Sequence, residues 1–248
     1  MIEPFFFDNA QLFGCYHPSA DPASTRGVVF CPPLFDEYRR SYRALSDLAN
    51  ACAKNGVHVM RFDFYGTGDS QGMLAEASVG RWRNDIDTAI EELISLAGVE
   101  TIVMSGVRFG ATLASNVSHA AVKRAVFWDP VESGGQYLDW LDRANEQFRQ
   151  EHVEISRYTG YGFDDIVYEN FHLPEQLKEG LSGLKLVTEY GTPPAPIQVI
   201  TSQKEIAESH RFEHCDYPGV EHDWPYYFDG LLAPKPVLEQ IAEKVVGA

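Results

Sequence analysis

Short apolar runs alternate with helical patterns along the first half of this sequence. The runs are rich in β-branched and aromatic residues, and they occupy positions 27–31, 58–64, 101–104 and 125–128. Such runs are typical of buried strands. Three helical patterns lie between them, the last from residue 109 to about residue 121. The order β-α-β-α-β-α-β predicts the α/β class, with a mostly parallel sheet covered by helices on both faces.

The two ends of the chain add further predicted elements. Residues 5–7 and 11–16 have the pattern of an antiparallel hairpin. Residues 197–201 and 211–215 predict two more strands, and residues 236–246 predict a closing helix.

The alternation breaks between residues 132 and 191. This stretch is rich in Tyr, Gly and acidic residues, with helical patches at 137–150 and 174–181, and it is too long for a loop. We expect an inserted cap over the carboxyl edge of the sheet, where open α/β sheets place their ligands. The core then consists of residues 1–131 and 192–248.

The composition excludes several classes of function. The 248 residues carry 36 acidic and 20 basic side chains, and the formal charge of −16 opposes binding to nucleic acids or to anionic membranes. The N-terminal residues lack the positive and apolar segments of a secretory signal, and no apolar run is long enough to span a bilayer. We therefore expect a cytoplasmic protein.

The four cysteines form no Cys-x-x-Cys pair, which predicts reduced thiols and no metal site.

A strand, a tight turn and a helix are predicted around Gly106-Val-Arg108-Phe-Gly110. In a nucleophile elbow of the form Gly-x-Ser-x-Gly, the glycines relieve crowding at a strained turn, and the central residue stands above the sheet. Here the central residue is Arg108, whose guanidinium is a permanent cation and cannot attack a carbonyl. A plainer interpretation is an ordinary strand–turn–helix junction in which the glycines only allow close packing.

Four further motifs surround this turn. Residues 31–35, Cys-Pro-Pro-Leu-Phe, follow the first parallel strand, and residues 63–72, Asp-Phe-Tyr-Gly-Thr-Gly-Asp-Ser-Gln-Gly, follow the next. Residues 202–205, Ser-Gln-Lys-Glu, come after the strand that ends near residue 201. Residues 219–222, Gly-Val-Glu-His, precede the last helix. In this order the motifs resemble the α/β-hydrolase superfamily over nearly the whole chain, and the resemblance implies that fold with an inserted cap.

The resemblance also implies a role for individual residues. The catalytic positions would be Arg108 at the nucleophile position, His222 as the base and Glu205 as the acid, with Asp129 as an alternative acid, and the oxyanion or ligand-binding residues would be Leu34, Phe35 and Phe109. No cofactor and no metal are implied. The expected partner is a small acyl or anionic substrate or ligand, and homo-oligomerisation stays open.

The motifs are also similar to a narrower group. Cys-Pro-Pro, Gly-Thr-Gly-Asp-Ser, Gly-Val-Arg-Phe-Gly and Phe-Trp-Asp-Pro-Val together resemble exosortase A system-associated hydrolases and serine-aminopeptidase-like α/β-hydrolases. This resemblance implies a hydrolase of esters, thioesters or amides in which Arg108 replaces the nucleophile. The alternative is a catalytically inactive pseudo-hydrolase, a binding or accessory protein that keeps the pocket and holds an anionic ligand.

The surroundings of Arg108 distinguish these two hypotheses. As a functional residue, its guanidinium would hold an anionic substrate or stabilise an oxyanion in an open pocket. As a structural residue, it would be buried against a carboxylate, for which the sequence offers Glu37, Asp129 or Glu205.

Other groups could act as the nucleophile in place of the residue at position 108. Ser105 should be held in the strand, and Ser115 should lie two helical turns beyond the elbow, so we expect neither to face a substrate. Cys31 could face the pocket, where a histidine would lower the pKa of its thiol. A water activated by His222, with Arg108 as the electrophile, needs no nucleophilic side chain.

Overall fold

This structure, a computed structural model, describes residues 2–151, 173–187, 189–190, 195–201, 213–214, 224 and 235–247. The strands in this part of the chain are β1 (Glu3–Phe7), β2 (Leu12–His17), β3 (Arg26–Cys31), β4 (His58–Phe62), β5 (Thr101–Val107), β6 (Val122–Trp128), β7 (Glu189–Tyr190), β8 (Ala195–Thr201) and β9 (Glu213–His214). The α-helices are α1 (Phe35–Lys54), α2 (Val79–Ala97), α3 (Phe109–Ser115), α4 (Gly134–Glu151), α5 (Glu175–Ser182) and α6 (Lys235–Val246).

All of these strands belong to one mostly parallel sheet in the order β1-β2-β4-β3-β5-β6-β8-β7, and β9 also pairs with β8. Strand β3 pairs in parallel with both β4 and β5, and β6 continues the parallel ladder to β8. The β1–β2 hairpin joins the sheet antiparallel to β4. Because β4, β3, β5 and β6 run in one direction, the loops that follow them meet at one edge of the sheet.

Helices cover both faces of the sheet. On one face, α2 contributes Trp82 and Ile90 to a buried cluster that includes Phe127 of β6. On the other face, Leu48 of α1 and Ile241 of α6 pack in a second cluster. The predicted α/β class with a parallel sheet is confirmed, and its physical basis is the pair of apolar layers that the alternating pattern provides.

The third helix is shorter than the sequence predicts. It ends at Ser115 rather than near Ala121. The side-chain amide of Asn116 donates to the carbonyl oxygens of Thr112 and Lys185, both at 2.8 Å, and so closes the helix end against a distant segment. Local apolar spacing contains no information about the contact with Lys185.

Two of the described helices lie in the span predicted as a cap, residues 132–191. They are α4 and α5, and they agree with the two predicted helical patches. Residues 152–172 fall outside the described part, and the division into core and cap stays a prediction. None of the described helices combines the length and the apolar character that crossing a membrane requires.

Candidate functional site

Arg108 lies at a strained turn between β5 and α3. Its backbone has φ 51° and ψ −125°, outside the regions that an arginine normally adopts. The Arg108 N–H donates to the Trp128 carbonyl oxygen at 3.0 Å, which joins the turn to the end of β6. The turn therefore projects its central residue from the carboxyl edge of the sheet.

The two glycines of the turn are required by close backbone contacts. A Cβ on Gly106 would lie 2.5 Å from the Ala111 Cα. A Cβ on Gly110 would lie 2.0 Å from the Pro32 carbonyl oxygen, in the loop that follows β3. Both distances are shorter than any real Cβ contact, so the turn, the start of α3 and this loop pack together only with glycine at both positions.

The guanidinium of Arg108 is buried and paired. The residue is 6% exposed, and its Nε donates to Glu37 Oε1 at 2.8 Å. Its Nη1 donates to the Asp129 carbonyl oxygen at 3.2 Å. Glu37 comes from the first turn of α1, so one ion pair connects α1, the turn before α3 and the end of β6.

Aromatic side chains complete the surroundings of this pair. The Tyr137 hydroxyl of α4 donates to Glu37 Oε2 at 3.1 Å. The rings of Trp140 and Trp224 lie 5.5 and 5.3 Å from the Arg108 guanidinium carbon, within cation–π range. None of these three aromatic residues was predicted from the sequence. The spacing of Tyr137 and Trp140 on one face of a helix could have suggested those two, whereas no local pattern points to Trp224.

Burial and pairing act against each other in this ion pair. Burial raises the pKa of the Glu37 carboxyl, and the contacts with Arg108 and Tyr137 lower it in part. Burial also lowers the pKa of the Arg108 guanidinium, but Glu37 and Asp129 outweigh this effect and raise that pKa. Because the arginine keeps its proton, the carboxylate facing it at 2.8 Å is favoured, and we treat the two as an ion pair.

The predicted oxyanion residues lie beside the turn. Leu34 is buried in the loop after β3, and Phe35 begins α1 with φ 54°, in the left-handed region that favours glycine. Phe109 is fully buried, and its ring packs against Tyr137 with centroids 5.1 Å apart. As the first residue of α3, Phe109 has a backbone N–H with no acceptor inside the helix.

The loop after β4 faces Leu34 and Phe35. A cavity of about 170 Å³ lies between the two loops, and the described residues around it include Thr67 and Ser70 but not Arg108. The Asp63 carboxylate braces this second loop by accepting hydrogen bonds from the Tyr38 hydroxyl and from a backbone N–H. The Ser70 hydroxyl donates to the Asp63 carbonyl oxygen at 2.7 Å, as expected of structural residues in a turn.

The alternative acid, Asp129, lies next to Arg108 with its carboxylate bound elsewhere. Asp129 is fully buried with φ 42°. Its Oδ1 accepts a hydrogen bond from the Thr201 hydroxyl at 2.8 Å, and its Oδ2 accepts one from the Trp224 indole at 3.2 Å. The carboxylate thus connects β6, β8 and Trp224.

Two of the predicted catalytic residues, His222 and Glu205, lie outside the described residues. Trp224, two positions after His222, is described and contacts both Arg108 and Asp129. The roles of His222 and Glu205 stay predictions.

The other candidate nucleophiles are buried. Ser105 is 2% exposed in β5, and the Ser115 hydroxyl donates to the Thr112 carbonyl oxygen while accepting the N–H of Val187. Burial raises the pKa of the Cys31 thiol far above its ordinary value, which disfavours the reactive thiolate. Within the ranges that the structure describes, no group of three His, Cys, Asp or Glu side chains could hold a metal ion.

Comparisons with known proteins support the fold. No family model matches the chain. A segment of 98 residues, 40% of this chain, is 33% identical to bovine palmitoyl-protein thioesterase ABHD10, mitochondrial, and spans only 29% of that relative.

Solved structures match along the whole chain. A serine hydrolase without a lid from Xanthomonas campestris covers 100% of this chain and 95% of its own, with a TM-score of 0.57 and 15% identity. Est1E from Butyrivibrio proteoclasticus, solved with ferulic acid, covers 99% and 96%, with a TM-score of 0.62 and 14% identity. Together with the sheet order and the strained turn after β5, these matches show that the chain has the α/β-hydrolase fold.

Proposed function

We propose that Arg108 occupies the nucleophile position of an α/β-hydrolase fold and that the protein is a pseudo-hydrolase, a binding or accessory protein for a small acyl or anionic ligand. The observation that carries this proposal is the buried ion pair. Arg108 is 6% exposed, and its Nε lies 2.8 Å from the Glu37 carboxylate. An arginine in this state is neither a nucleophile nor an open anion clamp.

The ion pair also restricts which ligand could reach Arg108. An oxyanion would have to displace the Glu37 carboxylate, which already occupies the Nε side of the guanidinium. Such an exchange leaves the Glu37 carboxylate without its cation, so it is favourable only where the ligand binds Arg108 more strongly than Glu37 does and Glu37 finds a new partner or takes up a proton. The ligand chemistry that suits this exchange is a carboxylate or a phosphate, which an arginine fork binds in a similar way.

A second candidate function is hydrolysis of an ester or thioester by a water that His222 activates. The match to a palmitoyl-protein thioesterase favours it, over a segment that covers 29% of that relative. The resemblance to exosortase A system-associated hydrolases belongs to this candidate and names no substrate. Fold alone does not decide between the two functions, because one fold carries many activities.

The pseudo-hydrolase proposal predicts that the native protein is inert toward serine-hydrolase reagents. We expect no stoichiometric labelling by a fluorophosphonate probe and no turnover of p-nitrophenyl butyrate or of a short acyl thioester above the buffer rate. The reason is that no serine stands where Arg108 lies, and Ser105 and Ser115 are buried. Mass spectrometry of the treated protein checks the labelling, and a modified serine, or thioester turnover in the unmodified protein, would overturn the proposal.

The assignment of Arg108 to the nucleophile position predicts a gain of activity in a variant. We expect Arg108→Ser, combined with Glu37→Gln so that no carboxylate stays unpaired, to hydrolyse p-nitrophenyl butyrate above background. The matched control is Arg108→Ala with the same Glu37→Gln change, which keeps the cavity but lacks the hydroxyl. Equal rates in the two variants, with both folded by circular dichroism, would contradict the assignment.

A further inference from the structure

A groove of about 750 Å³ runs between helices α1 and α6. Its described lining residues come from the second half of α1, from α6 and from the residue that follows each helix. Glu37, the partner of Arg108, lies in the first turn of α1, whereas the groove begins at Asp47, about 15 Å farther along the helix axis. The groove is therefore separate from the turn that carries Arg108 and goes beyond the function proposed above.

The floor of the groove is apolar. Leu48 of α1 is buried in it, and α6 contributes Leu238, Ala242 and Val246, which are partly buried against the same hydrophobic cluster. These three residues of α6 repeat every four positions and form a row about 12 Å long. A row with this spacing packs against the side chains of another helix, ridge into groove. The shape of the floor therefore favours a helical occupant with an apolar stripe.

The rim of the groove is charged and open to solvent. Its described charged residues are Asp47, Lys235, Glu239 and Glu243, of which three are acidic, and all four are exposed. Asp47 lies 3.8 Å from the Nε of Arg43, and Glu239 lies 3.6 Å from the Nζ of Lys235. Exposed ion pairs of this kind contribute little to stability, so the carboxylates can exchange them for contacts with a partner.

The charge of the rim selects the kind of helix. An apolar stripe flanked by lysine or arginine would match both the floor and the three carboxylates. A second copy of this chain is a less favourable occupant, because it carries the same formal charge of −16 as the chain that offers the groove.

We propose that the groove between α1 and α6 binds a basic amphipathic helix of another protein. The apolar stripe of that helix lies along the α6 row and Leu48, and its basic side chains face the carboxylates of the rim. Apolar contacts supply most of the affinity, and the charges set the choice of partner.

The test is fluorescence anisotropy of a labelled synthetic helix titrated with the full chain. The probe is a peptide of about 18 residues with leucine at i, i+3, i+4 and i+7, lysine beside this stripe and alanine elsewhere. We expect saturable binding that weakens as the NaCl concentration rises, because salt screens the exposed carboxylates. A peptide with glutamate in place of every lysine, and one with the same residues in scrambled order, are each expected to bind roughly tenfold more weakly or worse.

Variants assign the binding to this groove. Glu243→Lys is expected to weaken binding of the lysine peptide by roughly fivefold and to strengthen binding of the glutamate peptide. The matched control is Glu179→Lys, which reverses the charge of an exposed glutamate on α5. Ala242→Phe fills the floor with a ring and is expected to weaken binding of the lysine peptide by roughly tenfold or more. Ala75→Phe adds the same ring at an exposed position outside the groove and is expected to leave binding unchanged.

Three results would overturn the proposal. The first is no saturable binding of the lysine peptide to the native protein. The second is equal affinity for that peptide in Glu243→Lys and Glu179→Lys, two exposed changes that keep the fold. The third is a dimer of the native protein in sedimentation velocity that Ala242→Phe dissociates, because it would assign the groove to a second copy of the chain.

Discussion

Replacing Arg108 by methionine is expected to lower the free energy of unfolding by about 3 to 5 kcal/mol. The change leaves the Glu37 carboxylate buried without its ion-pair partner, since the Glu37 side chain is only 4% exposed and only the weaker interaction with the Arg40 charge remains. The Tyr137 hydroxyl remains as a partner but cannot neutralise a charge. Urea unfolding of the native protein and the variant measures the difference.

A double substitution separates the ion pair from the rest of the packing. Arg108→Met with Glu37→Leu removes both charges, and we expect it to recover much of the stability that either single change loses. Recovery is incomplete because Tyr137 and the Asp129 carbonyl oxygen each lose a hydrogen-bond partner. The exposed pair Arg43–Asp47 is the control, and Arg43→Met is expected to cost less than about 1 kcal/mol. Equal losses of unfolding free energy in Arg108→Met and Arg43→Met would show that the buried pair contributes no more to stability than the exposed pair.

Gly110→Ala is expected to destabilise the protein by more than about 4 kcal/mol, or to prevent folding. The added Cβ would lie 2.0 Å from the Pro32 carbonyl oxygen and 2.7 Å from that of Cys31. Both obstacles are backbone atoms, so no rotation of a side chain can relieve the overlap, and the loop after β3 must separate from α3. Chemical unfolding, or the yield of folded protein if the variant does not purify, measures this effect.

Gly80→Ala is the matched control, since Gly80 is also a helical glycine. A Cβ there would meet only the Ser78 Oγ at 3.9 Å, and alanine favours a helix over glycine by up to about 1 kcal/mol. The two substitutions add the same methyl group and are expected to act in opposite directions. If Gly110→Ala proves as stable as Gly80→Ala, the close contact between α3 and the loop after β3 is wrong.

Local patterns in the sequence were sufficient for the α/β class with its parallel sheet and for the tight turn at Arg108. Strands β3 to β6 are apolar runs, and the glycines on either side of Arg108 predict a tight turn. Helix α3, in contrast, is shorter than predicted, because the Asn116 side chain contacts Lys185 from a distant segment.

The partner of Arg108 could not be chosen from the sequence. Glu37, Asp129 and Glu205 all carry carboxylates at plausible places, and spacing along the chain does not give distances between separate loops. The geometry pairs Arg108 with the Glu37 side chain, and Asp129 contributes its carbonyl oxygen while its carboxylate binds Thr201. The contacts with Trp140 and Trp224 depend on tertiary packing in the same way.

The Arg108–Glu37 pair also constrains how this sequence can evolve. A mutation that places serine at position 108 leaves Glu37 buried and charged, and a mutation of Glu37 first leaves the arginine in that state. Either order of the two substitutions passes through a destabilised intermediate, although neither the starting protein nor the doubly substituted protein has a buried charge without a partner. Arg108 is therefore difficult to replace by single substitutions, and descendants of this chain should keep both residues or lose both.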